Sequence, residues 1–124
     1  MAAPALKMQA HSAPLGLAFY TGSAFPSEYR GDLFVAFHGS WNRSVPTGFK
    51  VVRVQIDAGR PAGAPEDFAT GFADTAEGRV LGRPVGVAVG PDGALYVSDD
   101  KSGFVYRIAR IARLARLAPI AFSK

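Results

Sequence analysis

Apolar residues in this chain fall into short runs separated by turn residues, and the runs occur twice in the same order. Leu33-Phe34-Val35-Ala36-Phe37 and Leu95-Tyr96-Val97-Ser98 are strand-sized and rich in branched and aromatic side chains. Runs of this kind, bounded by Gly, Pro and Asp, read as β-strands. Gly16-Leu17-Ala18-Phe19 resembles Gly86-Val87-Ala88-Val89. Gly31-Asp32-Leu33-Phe34-Val35 resembles Gly93-Ala94-Leu95-Tyr96-Val97, and Val51-Val52-Arg53-Val54 resembles Val105-Tyr106-Arg107-Ile108. The spacing between matched positions shrinks along the chain, so the first copy carries longer loops. Strands that repeat while loops vary are the mark of stacked structural units.

The connections agree with this pattern. Gly90-Pro91-Asp92-Gly93 is a tight turn, predicted to join strands 85–89 and 94–98. Phe25-Pro26 and Tyr29-Arg30-Gly31 make a longer link in the first copy. Pro46-Thr47-Gly48 leads into a strand over 49–56, 58–65 is a loop, and 66–72 is an outer strand. The predicted class is all-β. Each copy is a three- or four-stranded antiparallel meander, the unit from which β-propeller blades are made. A blade takes roughly 40–50 residues, so the chain holds about two, and two blades leave apolar faces and strand edges bare. A small sandwich of the two meanders, which needs no partner, is the alternative. The expected segments are a lead-in over 1–15, a first unit over 16–72, a shorter second unit over 73–108 and a basic tail over 109–124.

Charge changes the picture only at the end. The 124 residues carry a formal charge of +4, but Arg107, Arg110, Arg113, Arg116 and Lys124 lie together at the C-terminus and the remainder is close to neutral. The body is therefore not expected to bind nucleic acid. From Arg107 to Ala118 arginines recur every third residue beside Ile and Leu. This predicts a short basic helix suited to anionic lipid, RNA or an acidic partner; a low-complexity extension without a role is the other reading. Cysteine is absent, which excludes disulfides and thiolate chemistry. No apolar run is long enough to cross a bilayer, and residues 1–10 lack the pattern of a secretory signal. A cytoplasmic protein and an internal piece of a longer one are both open.

The two middle strands deliver their polar residues to one rim: His38, Trp41, Asn42 and Arg43 after the first, Asp99 and Asp100 after the second. The paired aspartates read best as a tight turn before Lys101-Ser102-Gly103. His11 and His38 lack metal-ligand spacing, and no metal site is expected. There is no catalytic Ser-His-Asp order, Walker loop or dinucleotide motif.

Several stretches, taken together, resemble the C-terminal blades of the glucose/sorbosone dehydrogenase family, the sorbosone branch most closely. They are His11-Ser12-Ala13-Pro14-Leu15-Gly16-Leu17, Phe25-Pro26 with Tyr29-Arg30-Gly31-Asp32-Leu33-Phe34-Val35, His38-Gly39-Ser40-Trp41-Asn42-Arg43, Gly82-Arg83-Pro84-Val85-Gly86, and Gly90-Pro91-Asp92-Gly93 running into Leu95-Tyr96-Val97-Ser98-Asp99-Asp100. The resemblance covers about His11 to Ile108. It implies two blades of a six-bladed β-propeller with pyrroloquinoline quinone (PQQ) over the central channel. It also implies oxidation of a sugar or aldehyde substrate, an electron acceptor, and a periplasmic or secreted location. The family's calcium-holding loop and its catalytic base lie in parts not present here. Those enzymes carry Arg-x-Arg where this chain has Arg83-Pro84-Val85, so only the first arginine is kept.

PQQ is a planar ortho-quinone with three carboxylates, so its site needs cations, flat surfaces and hydrogen-bond donors. By resemblance, Arg83, Arg43, Asn42, Trp41, Gly39 and His11 are the candidate cofactor contacts, and His38 is the candidate for handling a proton. Each has a plainer reading. Arg83 would be a solvated surface arginine, Asn42 and Arg43 would close a loop, Trp41 would plug the space between the repeats, and His38 would bond a loop carbonyl. Two functions are consistent with this. The chain supplies one wall of a PQQ site in a sugar or aldehyde dehydrogenase, completed by further blades or by self-oligomerisation. Alternatively it is a non-catalytic blade pair that works in assembly or through its basic tail.

Overall fold

A computed structural model of the protein describes residues 2–74 and 76–111, together with the backbone of 120–123. Two four-stranded antiparallel sheets account for most of it. The first contains β1 (Pro14–Phe19), β2 (Leu33–Phe37), β3 (Lys50–Val54) and, beyond a small hairpin of β4 (Ile56–Asp57) and β5 (Arg60–Pro61), β6 (Glu66–Ala69), in the order β1-β2-β3-β6. A second hairpin, β7 (Ala73–Asp74) with β8 (Arg79–Val80), leads to the other sheet. Its strands are β9 (Pro84–Val89), β10 (Leu95–Asp99), β11 (Phe104–Arg110) and β12 (Ile120–Ser123), again in sequential order. Neither sheet closes on itself.

The meanders expected from the repeat are present. Strand 66–72 ends early, at Ala69, and residues 56–61 form a hairpin where a strand end and a loop were expected. At the C-terminus, Ala109 and Arg110 continue β11 and pair with Ala121 and Ile120, so this part of the expected helical tail is extended. The remainder of that expectation, 112–119, lies outside the described residues.

Strand β2 is apolar on both sides because both sides are covered. Phe34 faces the second sheet with Phe49, Val51, Leu95, Val97 and Ile108, while Val35 and Phe37 pack with Val52 and Met8 on the other side. The principal core therefore lies between the sheets, and its burial is what holds them together. Tyr20 is fully buried there. Its hydroxyl donates to the Gly93 carbonyl at 2.8 Å and accepts from the Phe25 backbone N–H at 3.0 Å, tying the end of the first strand to the β9–β10 turn. Strands β1 and β9 touch so closely at Gly16 that a Cβ there would run into the Val85 carbonyl oxygen.

The far end of the first sheet is fixed by charge. Arg53 pairs with the buried Asp32, stacks at 4.0 Å over the Tyr29 ring and reaches Glu66 at 3.1 Å. Asp32 also accepts from the Ile56 backbone N–H. A buried cation without such partners would be costly. Asp32 stands at the start of β2 and His38 just past its end, so this network braces the end opposite the candidate rim.

Candidate functional site at the rim shared by the two sheets

Antiparallel pairing brings the end of β2, the end of β10 and the start of β9 to one rim. The loop after β2 is pinned at its base. His38 and Gly39 donate their backbone N–H groups to Ala13 and Ser12, and Ser40 donates to the Thr47 carbonyl at 2.7 Å while its hydroxyl accepts from the Thr47 N–H. Gly39 has φ of 103° and lies against the Phe49 ring, so any side chain at this point would be both strained and blocked. The tip, residues 41–45, is held out from this base.

Trp41 is 81% exposed and does not plug the space between these two sheets: the loop base is already filled by Phe49, and the indole is left in the open. Asn42 takes the left-handed conformation at φ 55°, as a turn asparagine does. Arg43 is exposed and has no ion-pair partner among the described residues. His11, at φ 65°, is also exposed. None of the hydrogen bonds of the described residues joins it to His38 or Arg83, so the structure leaves it beside the cluster rather than in it.

Arg83 is not a solvated surface arginine. It is partly buried, its Nη2 donates to the Ser40 carbonyl at 2.8 Å, its Nη1 lies 3.4 Å from His38 Nδ1, and its guanidinium carbon stands 5.3 Å from the centroid of the Phe49 ring. His38 in turn makes a 2.9 Å contact through Nε2 to Asp100 Oδ1. The imidazole thus bonds a carboxylate from the second sheet, not the loop carbonyl expected from the plainer reading.

The two aspartates have separate tasks. Asp99 points inward. Burial works to raise its carboxyl, but hydrogen bonds from the Arg83, Ser102 and Lys101 backbone outweigh this and hold it below the usual carboxylate range. This is the tight turn expected from the sequence, and it also fixes the Arg83 backbone. Asp100, one residue on and turned outward by the alternation of the strand, was expected to belong to the same turn. Instead it reaches His38 across the gap between the sheets. The strand-end rule that picked out His38 applies equally to Asp100, and that was the only signal in the sequence for its role.

The rim therefore gathers two guanidinium groups, a side-chain amide, an imidazole and a bare indole. That donor set suits a flat, multiply anionic molecule with acceptor oxygens: guanidinium groups grip carboxylates, and an exposed indole offers a face for stacking. No cluster of three metal-binding side chains exists among the described residues. No helix among them is long and apolar enough to cross a membrane.

The chain as a whole is similar to known proteins. The TrAA12-like family profile matches residues 1–111. A protein of Borreliella burgdorferi described as uncharacterized is 42% identical over 103 residues, covering 82% of this chain and 27% of its own length. A pyrroloquinoline quinone-dependent pyranose dehydrogenase of Coprinopsis cinerea is 37% identical over 122 residues, covering 85% of this chain and 16% of that enzyme. Among solved structures, an AA12-family carbohydrate-active enzyme of Trichoderma reesei superposes with a TM-score of 0.65 at 28% identity, over 78% of this chain and 24% of that one. The holo PQQ domain of the Coprinopsis pyranose dehydrogenase superposes with a TM-score of 0.55 at 35% identity, over 81% of this chain and 27% of the domain. The chain spans about a quarter or less of the length of each of these relatives.

Proposed function

The chain belongs to the TrAA12-like family, and on that premise we propose that it forms one wall of a PQQ site in a sugar-oxidising dehydrogenase. The relatives it resembles include a PQQ-dependent pyranose dehydrogenase. The observation that carries the reading is the bond from Arg83 to Ser40, which puts a held cation beside the exposed Trp41–Arg43 loop.

In this reading the residues divide the work. Arg83 and Arg43 would hold the cofactor's anionic groups, so that Arg43 would supply the second cation that Val85 does not. Trp41 would give a flat surface, Asn42 and His38 would give polar contacts, and Gly39 lets the loop base close behind them. The bound quinone supplies the two-electron acceptor for the substrate's hydrogen. The part of this chain is to orient the cofactor, to balance its charge and, at His38, to hold a proton donor or acceptor at the rim. The two sheets are read as adjacent propeller blades, 16–72 and 73–108, with the lead-in before them and the tail from 109 after them. Further blades or other copies of the chain complete the ring. A sugar or aldehyde of the glucose/sorbosone type is the substrate class, calcium is bound elsewhere in the complete enzyme, and the location is periplasmic or secreted.

The test is titration of the chain with PQQ, followed by quinone absorbance and by light scattering. Saturable binding with a change in the absorbance band supports the reading. A folded monomer that leaves the band unchanged would rule out quinone binding by this chain alone. Dye-linked oxidation of a panel of sugars in the presence of PQQ and calcium then defines the substrate.

A further inference from the structure

Asp100 makes no hydrogen bond to Arg83, yet it bonds His38, which contacts Arg83 through its other ring nitrogen. We infer that Asp100 is a positioning residue, which fixes the tautomer of His38 and through it the orientation of Arg83. The argument is one of donors and acceptors. An ionised carboxylate only accepts, so the 2.9 Å contact from His38 Nε2 to Asp100 Oδ1 requires a proton on Nε2. A guanidinium only donates, so the 3.4 Å approach of Arg83 Nη1 to His38 Nδ1 requires a lone pair on Nδ1. One form of the ring satisfies both: neutral imidazole with its proton on Nε2. With the proton on Nδ1, or on both nitrogens, a ring N–H would face the guanidinium N–H, and Arg83 would lose this contact and keep only its bond to Ser40 as a side-chain anchor.

Magnitudes favour a directional role over a stabilising one. The Asp100 side chain is 62% exposed against 19% for His38; even a fully charged exposed pair contributes only about 0–1 kcal/mol to stability, and a neutral imidazole brings no net charge to the contact. Asp99, one residue earlier, already closes the turn with three backbone hydrogen bonds. The turn therefore does not need Asp100. The tautomer does, because no other carboxylate contacts His38 among the described residues. The chain of contacts runs Asp100, His38, Arg83, Ser40, and it crosses between the sheets three times.

Only the cofactor arm of the test rests on the quinone reading. The full chain, labelled with 15N at histidine and arginine, is examined by long-range 1H–15N NMR without cofactor. Wild type is expected to show His38 in the Nε2–H form and a slowly exchanging Arg83 guanidinium. Asp100→Ala should shift the ring toward a tautomer mixture and speed Arg83 N–H exchange at least several-fold, with far-UV circular dichroism unchanged. His38→Gln, which keeps one donor and one acceptor on a non-ionising side chain, should preserve the Arg83 signal that His38→Ala loses. An unchanged tautomer in Asp100→Ala, or equal loss of the Arg83 signal in both His38 variants, overturns the inference. In the cofactor arm, Asp100→Ala should weaken PQQ binding about 5- to 10-fold, although the side chain never meets the ligand; equal affinity overturns the relay. If wild type itself ignores PQQ, the quinone reading fails while the NMR result still decides the relay.

Discussion

Arg83 reaches across from the second sheet and donates to the Ser40 carbonyl of the first at 2.8 Å. The bond joins the loop that carries Trp41, after β2, to the residue just before β9, and it makes the rim a joint property of both sheets. Arg83→Ala is expected to weaken PQQ binding by about 1.5–3 kcal/mol, the range for a hydrogen bond to a charged group. Arg83→Lys should recover only part of this, because an ammonium keeps the charge and loses the planar fork. Absorbance titration checks both.

Trp41 separates binding from folding. Its side chain is exposed, so Trp41→Ala should change stability by no more than about 0.5 kcal/mol, as read by urea denaturation. If the indole stacks on the cofactor, the same change should cost about 0.5–1.5 kcal/mol of PQQ affinity.

Gly16 tests the contact between the sheets. An added methyl would meet the Val85 carbonyl oxygen, which belongs to the backbone and has little freedom to give way. Gly16→Ala should lower stability by about 1–3 kcal/mol, as overpacking does, with a lower urea midpoint as the readout.

Tyr20 tests the other tie between them. Tyr20→Phe leaves the Gly93 carbonyl and the Phe25 N–H without their partner in a buried place. A loss of about 1–3 kcal/mol is expected, visible as a lower thermal midpoint.

Asp99 carries a pH dependence. Its carboxyl is held below the usual range in the folded chain, while in the unfolded chain it titrates at about 3.9. A lowered folded value means that its contribution is fully present above pH of about 4 and is lost as the pH falls through the folded value. Asp99→Asn should therefore be less stable at pH 7, by about 1.5–3 kcal/mol. Its stability should also vary less than that of wild type below about pH 4. Denaturation curves at several pH values give both numbers.

Local patterns in the sequence were enough to read the sheets. Leu33–Phe37 and Pro84–Val89 are strands because their side chains are apolar and their ends are marked by Gly, Pro and Asp, and the repeat fixed their order. The small hairpins at 56–61 and 73–80 were not legible, since each strand is only two residues long and carries no alternation. The exposure of Trp41 was not legible, because size and hydrophobicity say nothing about whether a place at the loop base is already taken, and Phe49 has taken it. Asp100 was assigned to its turn because the contact that distinguishes it is with His38, 62 residues away. Separation of that kind depends on how the sheets meet, which local sequence does not encode.

The position of the rim has a thermodynamic corollary. Because its contacts come from both sheets, a molecule seated there binds the docked pair and not the two sheets apart. Occupancy would then work as a clasp on the seam, adding about 2.7 kcal/mol of stability at a ligand concentration 100 times the dissociation constant. Heat resistance and ligand occupancy at this rim would then be two readings of one equilibrium.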